Sequence, residues 1–204
     1  MNISVIIIIA ISLISIAGFS QPELIYKYQF NAWQIKHRKE YLRLISHGFF
    51  HGSWMHLLIN MFVLFSFGRA VIHYFMISLP GNSNILFLFF FFSAIVISSL
   101  YSYIKEKNNY NYNAIGASGA VSAVVFASIL YDPFGIIYLY FIPVPGIVLG
   151  IGYLIYSRIM GQKNMDNIGH DAHFWGAVYG FLFPVVLNPS LLGHFANELL
   201  SIFN

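Results

Sequence analysis

Apolar runs long enough to cross a bilayer alternate along this chain with short polar breaks, and the first covers residues 3–19 without a charge. Lipid offers the backbone no hydrogen-bond partner, so such a run predicts a helix, whose polar groups pair internally. No basic residue precedes it and no small-x-small cleavage pattern follows, so it reads as a span rather than a removed signal peptide. A second span is expected over 56–77, where Gly68, Arg69 and His73 mark the far interface before the turn at Pro80-Gly81-Asn82. The third, 85–104, is stopped by Lys105, Glu106 and Lys107. The fourth, 115–131, is at the short limit for a crossing, so its start is expected below the membrane surface. A fifth is expected over 134–156, kinked by Pro143 and Pro145, and a sixth over 172–188, with Pro184 distorting its last turns.

The breaks between these runs carry a pattern of their own. Residues 20–55 mix Lys27, Lys36, Arg38, Lys39 and Arg43 with Tyr26, Tyr28, Trp33, Tyr41, Phe49, Phe50 and Trp54, a combination suited to the headgroup layer. Residues 157–169 form a polar loop with Arg158, Lys163 and Asp166, and the tail from 189 is mildly amphipathic. No internal repeat is visible. The expected fold is therefore all-α: a polytopic membrane protein whose residues 1–204 form a single six-helix domain.

Composition narrows the chemistry. The chain is 58% hydrophobic and 8% charged, against roughly 25% charged in a soluble domain. Its net charge of +3 is small and scattered, which argues against nucleic acid as a partner and leaves the lipid bilayer. Cysteine and threonine are absent. Disulfides, thiolate chemistry and cysteine-ligated metals are excluded, and serine is the one aliphatic hydroxyl available as a nucleophile.

If spans alternate in direction, the starts of the second, fourth and sixth lie on one side of the membrane. They carry His56 and Asn60, Ser118, and His173. His56 and Asn60 are four apart and share a helix face. Ser118 lies between Gly116 and Gly119 at the start of a helix, where backbone N–H groups lack intrahelical partners. A hydroxyl beside unpaired donors is half of an acyl-transfer site once a base is supplied. Small residues in a membrane helix also mark helix packing: Gly119, Ala123 and Ala127 recur at four-residue intervals, and Gly176 and Gly180 share a face with His173. The two stripes let the fourth and sixth helices approach near Ser118 and His173.

Three motifs, His56-x-x-x-Asn60, Gly116-Ala117-Ser118-Gly119, and Ala172-His173 with Gly176 and Gly180, stand in order at the starts of alternate spans. Over Arg43 to Gly180 the chain resembles the rhomboid family of intramembrane serine proteases. The resemblance implies a six-helix bundle with a water-filled cavity that cuts transmembrane segments of other membrane proteins, without a cofactor or metal. It implies Ser118 as nucleophile, His173 as base, and His56, Asn60 and the Ser118 backbone N–H as oxyanion donors. It likens residues 20–55 to an interfacial first loop in which Arg43, His47 and His51 are structural, and 157–169 to a flexible cap. Where many members carry a tyrosine four residues after the nucleophile, packed on the histidine, this chain has Ser122. Phe174, Trp175 and Tyr179 are the candidates to replace it. Leu42 stands where a tryptophan often precedes the first-loop arginine.

Other readings weigh less. His47 and His51 lack the glutamate of a zinc-protease pattern, and no aspartate lies within a span, so neither metalloprotease nor aspartyl chemistry fits. Asp171 is two residues from His173, a spacing that points it away on a helix and leaves a two-residue dyad. A transporter would show repeat symmetry between its halves. A catalytically silent relative that binds transmembrane segments would be marked by loss of the serine or the histidine, and both are present. Nine of the ten basic residues fall on the side of the active face, which the positive-inside rule would place in the cytoplasm. The family resemblance implies the opposite side of a multi-pass protein of the cell (inner) membrane, and that orientation is the one expected here.

Overall fold

The computed structural model describes residues 2–139, 141–163 and 169–201. The chain opens with α1 (Ile3–Ser20), capped by the Asn2 side chain. The first loop then folds into three short helices, α2 (Pro22–Tyr28), α3 (Ala32–Arg38) and α4 (Arg43–Ser46), and a 3-10 turn at His47–Phe49. Two long helices follow, α5 (Trp54–Ser78) and α6 (Ser83–Glu106), joined through Gly81 at φ +92°. Next come α7 (Ser118–Tyr131), the antiparallel strands β1 (Ile136–Leu139) and β2 (Ile142–Pro145), α8 (Gly146–Lys163), α9 (His170–Leu187) and α10 (Ser190–Leu200).

By length and composition α1, α5 and α6 can each cross a membrane, and α9 with α10, bent by 117° at Asn188–Pro189, would form a fourth crossing if taken as one. The helix α7 is apolar but shorter. It is the centre of the bundle: eleven of its fourteen residues are buried. No residue of α7 is charged, and its small side chains let α5, α6 and α9 close around it. Large apolar side chains point outward instead, as with Phe62, Phe65, Phe89 and Val186, each at least 64% exposed. Such an exterior suits lipid, where a lipid-facing phenylalanine costs nothing.

The expected fifth span differs most from what is found. Ile136–Leu139 and Ile142–Pro145 pair as antiparallel strands, and the helix begins only at Gly146. Pro143 and Pro145 therefore do not kink a helix; they lie in β2, opposite Tyr138 and Ile136. Lacking an N–H and fixed in φ, a proline is tolerated in the edge strand of a two-stranded ribbon and not in a helix interior. The expected polar loop at 157–169 also begins late, because α8 continues to Lys163; Asp166 and the rest of 164–168 lie outside the described residues. Pro184 is accommodated within α9, and its carbonyl accepts the Asn188 N–H at 2.9 Å as the helix ends.

The first loop is pinned from within. The buried Arg43 guanidinium donates to the carbonyls of Tyr26 (3.0 Å) and Gln29 (2.8 Å) and pairs with Glu40, satisfying its charge with partners on one side and carbonyl dipoles on the other. Ser15 of α1 donates its only proton to the Phe49 carbonyl at 2.9 Å. His51 Nδ1, 2.9 Å from the same hydroxyl oxygen, is then the N–H donor of that pair. Burial pushes His47 down to about 4, and burial with the neighbouring His56 pushes His51 down to about 3. Both rings are neutral structural members at neutral pH.

Candidate active site

The segment ahead of Ser118 is irregular and polar, and the first loop holds it in place. Phe30 and Ala114 exchange backbone hydrogen bonds, and the Gly116 N–H donates to the His47 carbonyl at 3.0 Å. Asn31 Nδ2 donates to the Tyr110 carbonyl and to Asn113 Oδ1, at 2.9 and 3.0 Å. The chain then swings through Gly116 at φ +127°. A side chain there would be strained, and its Cβ would come within 2.7 Å of His56 Cε1. This is the turn that delivers Ser118 as the first residue of α7. Ala117 ahead of it makes no side-chain cap, so the first N–H groups of the helix are left for another acceptor.

Gly119 faces α6 and α9. A Cβ added to it would overlap Ser98 Oγ and approach the Ala172 carbonyl oxygen at 3.2 Å. On α9, Gly176 lies against the Gly119 carbonyl and Gly180 against the Ala123 carbonyl, so the two helices touch backbone to backbone. His173 stands one turn before Gly176, on the side of α9 that meets the start of α7.

A cavity of about 740 Å³ lies where these elements converge. It is lined by His56 and Asn60 from α5, Ser118 and Ser122 from α7, and His173 from α9. Ser98, Ser99 and Ser102 of α6 give it a hydroxyl-rich wall, and it extends from Gln29 and Asn113 down to Val63 and Ile95. Asn60 is buried, and its amide donates to the His56 carbonyl at 3.0 Å, a bond that leaves the second amide hydrogen uncommitted. The Ser53 side chain caps α5 at the His56 N–H, which fixes the helix start that carries both residues. Asp171 is turned to α6, where Lys105 Nζ donates to its Oδ2 at 2.8 Å. That pair ties the beginning of α9 to the end of α6.

Sequence reasoning missed the aromatic partner of His173. Trp175 packs on Tyr101, Phe174 on Trp175, and Tyr179 on Phe90 and Phe183. Among the described residues two rings flank His173: Tyr153 of α8, with centroids 6.0 Å apart and planes 23° from parallel, and His170 of its own helix, edge-on at 5.8 Å. The Tyr153 hydroxyl is 2.6 Å from the Oγ of Ser122, the residue four after Ser118. A signal was available: Gly146, Gly150, Tyr153 and Ser157 form a stripe at helical spacing, and the two glycines pack on Ile129 of α7. Reading the helix as starting at 134 hid that stripe.

A family model described as the rhomboid domain matches residues 38–190. The chain is 32% identical over 139 residues to "Presenilin-associated rhomboid-like protein, mitochondrial" of Rattus norvegicus, covering 65% of this chain and 34% of that protein. The Homo sapiens protein of the same name is 31% identical over 139 residues, with the same coverage. "RHOMBOID-like protein 12, mitochondrial" of Arabidopsis thaliana is 30% identical over 146 residues, covering 66% of this chain and 43% of that one. The chain thus spans about a third of the length of the two mammalian relatives.

Proposed function

Since this chain belongs to the rhomboid family, as a helical integral membrane protein, we propose that it is a serine endopeptidase cutting peptide bonds in or near the transmembrane segments of other membrane proteins. The observation that carries the reading is the shared cavity: Ser118, His173, His56 and Asn60, brought from three helices, line one hydroxyl-rich space. A peptide bond cannot be hydrolysed without water, and a cavity carrying these hydroxyl, amide and imidazole groups inside an apolar bundle is what would hold it.

In the proposed reaction Ser118 Oγ attacks the scissile carbonyl carbon while its proton passes to the His173 imidazole. The oxyanion is held by the Ser118 backbone N–H, the Asn60 amide and His56. The tetrahedral intermediate collapses, the C–N bond breaks, and His173 returns the proton to the leaving amine. A water then attacks the Ser118 ester, again with His173 as base, and releases the acid. The engagement of Asp171 by Lys105 favours a dyad over a triad built on that carboxylate. A substrate helix hides its carbonyls in its own hydrogen bonds, so segments that unwind easily, with a small residue at the cut, are the favoured class. All six of α1, α5, α6, α7, α8 and α9 cross the membrane in this proposal, as one domain over residues 1–204. The proposed location is the cell inner membrane.

The test is labelling of the purified protein by a fluorophosphonate. Label that disappears in Ser118→Ala and in His173→Ala supports the dyad. A wild type that takes no label, yet binds a transmembrane peptide, is the catalytically silent protein instead.

A further inference from the structure

Within that serine-protease reading, on which this rests, we infer that Tyr153 of α8 is the positioning residue of the base, holding the His173 ring in place through a hydrogen-bond chain that ends on the nucleophile's own carbonyl. Ser122 Oγ is 2.8 Å from the Ser118 carbonyl oxygen and donates to it. A hydroxyl has one proton, so the 2.6 Å contact between Ser122 Oγ and the Tyr153 hydroxyl is made by the phenol donating. The chain therefore runs in one direction, from Tyr153 O–H to Ser122 Oγ and from Ser122 O–H to the Ser118 C=O. A phenol fixed at its far end cannot swing, and its ring lies nearly parallel to the imidazole, while His170 meets the same imidazole edge-on at 5.8 Å. Phe126 of α7 lies against Tyr153 at a ring-centroid distance of 6.0 Å, so the tyrosine is held by packing as well as by its hydroxyl.

The geometry divides the labour among three helices. The nucleophile stands on α7 and the base on α9, while the group that sets the base's plane comes from α8 and is referenced to α7. An imidazole needs one orientation to receive the Ser118 proton, and each free torsion it regains lowers the fraction of enzyme ready to react. Substrate binding does not need that orientation. Loss of the tyrosine is thus expected in turnover and not in affinity.

The experiment compares Tyr153→Leu, Tyr153→Phe, Ser122→Ala and the double variant Tyr153→Phe/Ser122→Ala for cleavage of a transmembrane substrate, with kcat and KM separated. Tyr153→Leu stays apolar and removes the planar face; kcat is expected to fall by about 10- to 100-fold, a share of what a positioned base supplies, with KM within about twofold. Tyr153→Phe and Ser122→Ala both break the bond between the two hydroxyls, and Ser122→Ala also the one to the Ser118 carbonyl, so each is expected to lower kcat by about 3- to 10-fold and the double variant by no more than Ser122→Ala alone. Thermal unfolding of each variant separates these losses from misfolding, and Tyr153→Phe serves where Tyr153→Leu does not fold. A Tyr153→Leu enzyme with full kcat, a loss confined to KM, or Phe and Ala effects that multiply would overturn the inference and leave the dyad standing. A wild type without Ser118-dependent labelling would remove both.

Discussion

Gly176 of α9 rests directly on the backbone carbonyl of Gly119 of α7, with no side chain between them. One turn further on, Gly180 meets Ala123 in the same way. These contacts, rather than any interlocking of large side chains, set how closely His173 can come to Ser118. A Cβ at position 176 would overlap the Gly119 carbonyl, which belongs to backbone and cannot rotate aside. Gly176→Ala is expected to part the helices, costing ~1–3 kcal/mol and most of the Ser118 labelling rate. Gly152→Ala is the control: its Cβ would meet nothing within 4 Å, and it should leave thermal unfolding and labelling as they are. Equal behaviour of the two variants would show that α7 and α9 do not depend on this contact.

Gly116 is constrained twice over, by a φ of +127° and by the His56 ring against its α-carbon. An alanine there adds conformational strain of about 1–3 kcal/mol and pushes His56 out of line. Gly116→Ala is expected to lower cleavage by more than its effect on unfolding would explain, because the turn and the oxyanion side of the cavity move together. Activity that merely tracks stability would count against a role for His56.

How much of this arrangement could be read from residues alone depended on how local its cause was. The ends of α6 and α7 are marked by Lys105 to Lys107 and by Asp132-Pro133, chemistry that stops a helix wherever it occurs. The stripes of Gly119, Ala123, Gly176 and Gly180 were legible because a four-residue interval on a helix is itself a statement about one face. The paired strands at 136–139 and 142–145 were not, since a short apolar run serves a buried strand and a helix equally well, and the two prolines were read as a kink. Tyr153 was lost for a different reason. The stripe of Gly146, Gly150, Tyr153 and Ser157 stands in the sequence, but a helix taken to start at 134 hid it, and its packing on Ile129 is a contact with another helix. The His51–Ser15 pair is of the same kind, joining residues 36 apart in the chain.

Asn60 offers the most direct test of the oxyanion assignment. Its amide is already oriented by the His56 carbonyl, so the donor would not have to reorganise as charge develops. Asn60→Ala is expected to lower kcat by roughly 100- to 1000-fold, with fluorophosphonate labelling slowed in parallel and the unfolding temperature little changed. Near wild-type kcat in that variant would assign the oxyanion to other donors.

The buried histidines of the first loop make stability depend on pH in a direction that can be worked out. Both titrate below their ordinary 6.5 in the folded protein, His47 near 4 and His51 near 3. As pH falls below 6.5 the unfolded chain takes up protons at these sites and the folded chain does not. Stability therefore rises with pH across this window and is fully present above it. Carboxylates stay largely ionised down to about pH 5, so the range from pH 7.5 to 5 reports mainly on histidine. Over that range the unfolding temperature of the detergent-solubilised protein is expected to drop, by an amount equivalent to a few kcal/mol at most. His51→Asn keeps an N–H that can reach Ser15 and removes one titrating ring; it should flatten the profile, as should His47→Asn. A profile equally steep in both variants would mean that the acid sensitivity arises outside this loop, and that the two rings are not held neutral by the fold.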